Sequence, residues 1–375
     1  MNPIQMVDLK SQYKKIKKEV DAAVIDVFEN AAFINGPGVK QFTDELANFS
    51  GAKHVIPCAN GTDAIQVAMM AMDLQPGDEV IVPVWTYVAT AEVISLLKLT
   101  PVFVEVNKDT FCIDANLLES KITSKTKAIV PVHLYGQCAD MEPILNIAKK
   151  HNLFVIEDTA QAIGAVYTFA DGTQKQAGTM GHVGTTSFFP SKNLGAYGDG
   201  GAIYTNDDDL AKKMKMIAHH GERIKYYHDV VGCNSRLDTV QAVILSVKLK
   251  HLNEYEAARN AVADAYDKAF ANHPKIKTPL RSKNSTHVFH QYTLTLCGVD
   301  RDAMKEFLAN KSIPTMIYYP VPLFHQLAYK HYHNPADDFS ISESLARTVI
   351  SLPIHTEMEK EQQDYIIAQV LEFCK

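Results

Sequence analysis

From about residue 52 to residue 205, short apolar runs alternate with segments of helical spacing. Glu79-Val80-Ile81-Val82-Pro83 reads as a strand and Thr86 to Leu97 as a helix; Pro101 to Glu105 and Ala128 to Val132 are strands again. A helix from Asp140 to His151 leads into the apolar run Leu153 to Glu157, which ends at Asp158. Strands joined through helices imply parallel pairing, and such a sheet is covered on both faces. Two further strand-like runs, Thr185–Phe189 and Gly201–Asn206, flank a loop that contains Lys192.

The texture changes after Leu237. Asp238 to about Phe270 reads as one long helix with Lys248, Lys250, Glu254, Glu256 and Arg259 along a charged side. Such a helix would link a large domain, residues 1–250, to a small C-terminal domain, residues 251–375. The small domain holds the strand-like Val288–Leu296, helical Asp302–Asn310 and a closing helix Glu359–Phe373. The turn cluster Asn30 to Gly38 is expected near a site or an interface. The fold class expected is α/β, a large domain with a mostly parallel sheet plus a smaller α+β domain.

Composition narrows the class without changing that picture. The 375 residues are 46% hydrophobic and 21% charged, as in a globular enzyme, and the length implies two domains. Net charge is −6 and no long basic run occurs, so nucleic acid and anionic membrane are not expected partners. The N-terminus lacks a basic region followed by an apolar one, and no run of about twenty apolar residues exists, so a cytoplasmic location is expected. The six cysteines are scattered with no C-x-x-C pair, and the histidines show no ligand spacing; free thiols and no metal are expected.

Lys192, in Ser187-Phe188-Phe189-Pro190-Ser191-Lys192, follows an apolar strand end and precedes the glycine-rich stretch Gly195 to Gly201. A lysine in such a mouth is partly desolvated, which lowers its pKa toward use as nucleophile and base. Asp158 ends a buried strand, where ligands of open α/β sheets sit. Gly61 and Thr62 open the helical pattern Asp63–Met72, and free amides at a helix N-terminus suit a phosphate. These are the parts that hold pyridoxal 5'-phosphate (PLP): an amine for the Schiff base, a carboxylate that keeps the ring nitrogen protonated, and amides for the phosphate. Gln161 would reach the 3'-oxygen, Ser187 would add a hydroxyl to the phosphate, and Trp85 would stack on the ring. Each alone has a plainer reading: a surface lysine, an Asp helix cap, an ordinary helix start, a core tryptophan.

Ala59-Asn60-Gly61-Thr62-Asp63-Ala64, Glu157-Asp158-Thr159-Ala160-Gln161, Ser187 to Lys192 and Gly232-Cys233-Asn234-Ser235-Arg236-Leu237-Asp238 together resemble the DegT/StrS-type nucleotide-sugar aminotransferases. The resemblance covers nearly the whole chain and implies a fold-type I PLP-dependent transferase, similar to aspartate aminotransferase. It assigns the cofactor to Gly61, Thr62, Trp85, Asp158, Gln161, Ser187 and Lys192. It also implies that Asn234 reaches the phosphate from the other subunit of a homodimer with composite sites. L-glutamate would be the amino donor and a keto-sugar nucleotide the acceptor.

Some relatives carry histidine at the lysine position and act as 3-dehydratases; Lys192 favours amino transfer. Leu134-Tyr135-Gly136-Gln137-Cys138-Ala139-Asp140, Tyr197 to Ile203 and Tyr319-Pro320-Val321-Pro322-Leu323 are similar to enzymes aminating the 3-keto position of UDP-N-acetylhexosamines or their uronic acids. Uronate-acting relatives place His-Tyr before that proline, whereas this chain has Tyr318-Tyr319. Arg236, Tyr318, Tyr319 and His325 are the candidate sugar-nucleotide contacts. A dTDP-linked 3-keto-6-deoxyhexose, a 4-keto sugar, and a catalytically silent sensor or scaffold remain as alternatives.

Overall fold

A computed structural model of the chain describes residues 2–375. Helices α1 (Leu9–Glu29) and α2 (Pro37–Ser50) precede the first strand, β1 (His54–Cys58). Then follow α3 (Gly61–Ala71), β2 (Glu79–Pro83), α4 (Ala89–Leu96), β3 (Thr100–Val104), β4 (Thr126–Ile129), α5 (Met141–His151) and β5 (Phe154–Asp158). A small hairpin, β6 (Val166–Thr168) and β7 (Gln174–Gln176), leads to β8 (Val183–Ser187) and β9 (Gly201–Thr205). After α6 (Asp208–Ala218) and a second hairpin, β10 (Glu222–Ile224) and β11 (Tyr227–His228), come α7 (Thr239–Leu249) and α8 (Leu252–Phe270). The C-terminal part adds β12 (Ile276–Lys277), β13 (Tyr292–Leu296), α9 (Arg301–Asn310), α10 (Ser340–Thr348), β14 (Val349–Leu352) and α11 (Lys360–Phe373).

Seven strands form the main sheet in the order β1-β9-β8-β5-β4-β2-β3. All run parallel except β9, which is antiparallel to both neighbours. The exception has a local cause: the connection from β8 to β9, residues 188–200, contains no helix to carry a parallel crossover. Alternation along β2 shows both faces covered. Val80 and Val82 join a core with α3, α4 and α6, whereas Ile81 packs into a second core with α5. A separate three-stranded antiparallel sheet, β12-β13-β14, has its own core with α8, α9 and α11.

The expected long helix is two helices. Helix α7 ends at Leu249 and α8 begins at Leu252, with Lys250 and His251 between them. The expected charged side is divided: Lys250 and Glu254 are exposed, whereas Lys248 and Arg259 are buried at 1% and 3% exposure.

Candidate active site

The carboxyl ends of β1, β5 and β8 meet at one edge of the main sheet, where open α/β sheets place ligands. Asn60 caps α3 by accepting Asp63 N–H at 2.8 Å. This leaves the Gly61 and Thr62 amides without an acceptor among the described residues, at the positive end of the helix. Ser187, the last residue of β8, lies so close that a Cβ on Gly61 would sit 2.7 Å from the Ser187 Cβ. Gly201 closes the other side, where a Cβ would meet the Asn60 carbonyl oxygen at 2.4 Å. Both glycines are therefore required by close approach.

Asp158 ends β5 and is buried. One oxygen accepts the Thr90 hydroxyl at 2.9 Å, and the other accepts Ala160 N–H at 3.1 Å. The preceding Glu157 is fully buried and accepts His133 Nε2–H at 2.9 Å, with Gly178, Met180 and Gly181 amides at 2.9, 2.7 and 2.6 Å. His133 Nδ1 accepts the Ala139 amide, so the ring proton sits on Nε2, facing the carboxylate. This network locks the end of β5, and with it the direction of Asp158.

Lys192 sits on a turn in which its own N–H donates to Phe189 O at 2.8 Å. Its ammonium has no hydrogen-bond acceptor among the described residues. Burial brings its pKa from 10.5 down to about 8, against the upward pull of Asp158. A sizeable fraction is thus neutral near pH 7.5, as a nucleophilic amine requires.

Gln161 is fixed at both ends of its amide: Oε1 accepts Tyr135 N–H at 2.7 Å, and Nε2 donates to the Tyr319 hydroxyl at 3.2 Å. Tyr319 therefore joins the site directly, and burial raises its pKa. Tyr318 lines a groove of about 650 Å³ that opens beside Ser191 and also includes Gln291, Met316 and residues 4–7. Arg236 is half-buried on the segment before α7 and makes no ion pair or hydrogen bond among the described residues. Asn234 is exposed on the same segment, where it bridges His219. His325 is exposed and pairs with Glu343 at 3.1 Å, with no contact to the groups above.

Trp85 departs from expectation. It is 1% exposed, sits in the core shared with α5, and donates Nε1–H to the Tyr135 hydroxyl at 3.2 Å, so it has no free face to stack. The exposed ring at this strand end is Tyr87, 60% exposed and 6.4 Å from the Tyr319 ring. The strand's end explains the difference: Trp85 still packs in the core that holds Ile81, and Tyr87, four residues past the end of β2 at Pro83, is the first exposed residue. Thr90 was also missed, although Thr86 and Thr90 stand one helical turn apart at the start of α4.

An unpartnered, desolvated lysine, two free helix-start amides and an anchored carboxylate match the amine, phosphate and ring-nitrogen requirements of PLP, so the residues present fit that cofactor. Among the described residues no cluster could hold a metal ion, and no helix is long and apolar enough to cross a membrane.

Residues 14–371 match the DegT/DnrJ/EryC1/StrS aminotransferase family. A UDP-2-acetamido-2-deoxy-3-oxo-D-glucuronate aminotransferase of Pseudomonas aeruginosa is 45% identical over 94% of this chain and 95% of that protein. A pleiotropic regulatory protein of Geobacillus stearothermophilus is 46% identical over 99% of both. The solved structure of NtdA from Bacillus subtilis with bound cofactor PMP is 30% identical, has a TM-score of 0.88, and aligns over 98% of this chain and 83% of that one.

Proposed function

The chain belongs to the DegT/DnrJ/EryC1/StrS aminotransferase family and is a PLP-dependent sugar aminotransferase of fold-type I architecture; on that premise we propose which residues act and on what. The amino donor is L-glutamate, and the acceptor is the 3-keto position of a UDP-linked N-acetylhexosamine or its uronic acid. The product is an amino sugar for surface polysaccharide or lipopolysaccharide. The observation that carries this reading is the meeting of Lys192, Asp158 and the free Gly61 and Thr62 amides at one sheet edge.

When bound, the cofactor supplies an electron sink for the carbanion formed at the donor's Cα. Gly61, Thr62 and Ser187 hold its phosphate, with Asn234 of a second copy completing the shell in a homodimer. Exposed apolar side chains on the segment that carries Asn234, among them Ile224, Tyr226, Tyr227 and Val231, favour a covered surface there. Asp158, kept in place by Thr90 and Ala160, stabilises the proton on the ring nitrogen. Gln161, oriented by Tyr135 and Tyr319, would hydrogen-bond the cofactor's 3'-oxygen, and Tyr87 would supply the aromatic face for its ring. Lys192 Nζ would serve as the base for the donor's Cα proton and as the acid that gives a proton back in the transfer. Tyr318 and Tyr319 contact the sugar, and Arg236 pairs with a phosphate or a carboxylate of the nucleotide sugar. The groove beside Ser191 has no charged side chain in its lining, which favours a neutral hexosamine ring over a uronate.

A regulatory role is the second reading, favoured by the name carried by the Geobacillus relative. An absorbance spectrum separates the two. A band near ~420 nm that moves toward ~330 nm on adding L-glutamate is expected of an enzyme that takes up the amino group. No band after adding PLP would refute Lys192 as the Schiff-base residue and leave the sensor or scaffold reading. UDP-3-keto-N-acetylhexosamines, tested first in a panel of keto-sugar nucleotides, should restore the ~420 nm band as they accept the amine.

A further inference from the structure

Helix α7 runs beneath the loop that carries Lys192 and grips it with polar side chains. Gln241 accepts Tyr197 N–H at 2.9 Å and donates Nε2–H to Tyr197 O at 3.4 Å. Lys248 donates Nζ–H to Gly195 O and sits 5.1 Å from the centre of the Tyr197 ring. Gln241 and Lys248 are two helical turns apart, hence on one face of α7. The rest of the loop is tied elsewhere: Phe188 N–H to Gly200 O, Ala196 N–H to Phe188 O, and Asn193 Nδ2–H to Val288 O of the C-terminal part. The turn is also closed tightly, since a Cβ on Gly195 would lie 2.2 Å from Pro190 O.

Lys248 is an expensive residue at this place. It is 1% exposed and has no carboxylate partner among the described residues. Burial, with Arg259 nearby, brings its pKa down to about 7. A methionine or leucine would fill much the same volume without desolvating an amine, so packing alone does not account for a lysine. What the amine adds is a donor for Gly195 O, three residues past Lys192.

We infer that Lys248 and Gln241 are positioning residues for Lys192: they hold the backbone of residues 195–197 from below and so fix where the Lys192 amine meets the cofactor aldehyde. This rests on the reading of Lys192 as the Schiff-base residue. Both act through the loop backbone, by their bonds to Tyr197 and Gly195.

The test uses the full-length cofactor-free protein. One readout is the rate at which added PLP develops the ~420 nm band; the other is amide hydrogen exchange in peptides spanning 188–200. Lys248→Met is expected to slow capture about tenfold or more, because small misplacements of a reacting group cost that much. Exchange in 188–200 should rise with it. Lys248→Arg, which keeps a donor, should recover most of the rate. Wild-type capture together with wild-type exchange in Lys248→Met would overturn the inference. Should that variant fail to fold, Gln241→Leu is measured in the same way, and wild-type values there overturn it. A wild-type protein that forms no band would sink the Lys192 assignment instead; unchanged loop exchange in the variants would still count against the grip.

Discussion

Replacing Lys192 with methionine should stabilise the cofactor-free protein at neutral pH while destroying its activity. The folded chain holds the Lys192 amine at a pKa of about 8 against 10.5 for a free lysine, because burial disfavours the ammonium. That difference corresponds to roughly 3 kcal/mol. The residue keeps some solvent contact, which screens part of that cost, so about 1–3 kcal/mol is expected. The unfolded chain binds this proton more tightly than the folded one. The penalty is therefore complete below pH ~8, shrinks between ~8 and ~10.5, and vanishes above that. With an unfolding entropy near 2.1 cal/mol/K per residue over 375 residues, Lys192→Met should melt about 1–4 °C higher than wild type at pH 7. Paired thermal scans at pH 7 and pH 10.5 read the effect, and added PLP should reverse the order at pH 7 by stabilising wild type more. A variant no more stable at pH 7, or a difference of the same size at both pH values, would show that Lys192 is not held in a desolvated state.

Asp158→Asn should retain the fold but slow proton abstraction by at least ~10²-fold in single-turnover absorbance measurements; an unchanged rate would rule out its role at the ring nitrogen. Gly61→Ala drives a methyl to within 2.7 Å of the Ser187 Cβ, so the phosphate pocket must open, and the PLP dissociation constant should rise about tenfold or more in equilibrium dialysis. Tyr87→Ala should also weaken PLP binding, whereas Trp85→Phe should lower the melting temperature through loss of the Tyr135 hydrogen bond, worth about 1 kcal/mol, and leave cofactor affinity close to wild type. The opposite pattern would return the stacking role to Trp85.

The strands of the main sheet were legible because each is a short apolar run bounded by turns; β2 was read with the bounds it has, Glu79–Pro83. Its neighbours shifted by one to three residues at the ends, where pairing rather than local sequence sets the limit. The antiparallel placement of β9 was hidden, since direction depends on the path of the loop and not on the strand's own residues. Lys192, Asp158 and Gly61 could be named because each sits at a strand end or helix start, positions that leave marks in sequence. Thr90, Tyr135 and Gln241 could not, because their roles arise from contacts between segments far apart in the chain. Charge hides burial for a related reason: nothing in the sequence shows that Lys248 and Arg259, unlike Lys250 and Glu254, are covered by other elements.

The site gathers positive character that the chain does not neutralise from within. Lys192 has no hydrogen-bonded acid, the Gly61 and Thr62 amides have no acceptor among the described residues, and Arg236, proposed to join them, makes no ion pair there. The chain as a whole carries −6, so this local excess is not a side effect of a basic protein. Unmatched cations at a cleft are costly in the free protein and are balanced when an anion arrives. The cofactor phosphate accounts for the helix start. On the proposal that Arg236 faces the same cleft, it would take a second anion, which a free keto sugar lacks and the diphosphate of a nucleotide sugar provides. On that proposal charge balance argues for the nucleotide-linked substrate without reference to which sugar it bears, and the uncharged groove lined by Tyr318, Gln291 and residues 4–7 is where the sugar would be distinguished.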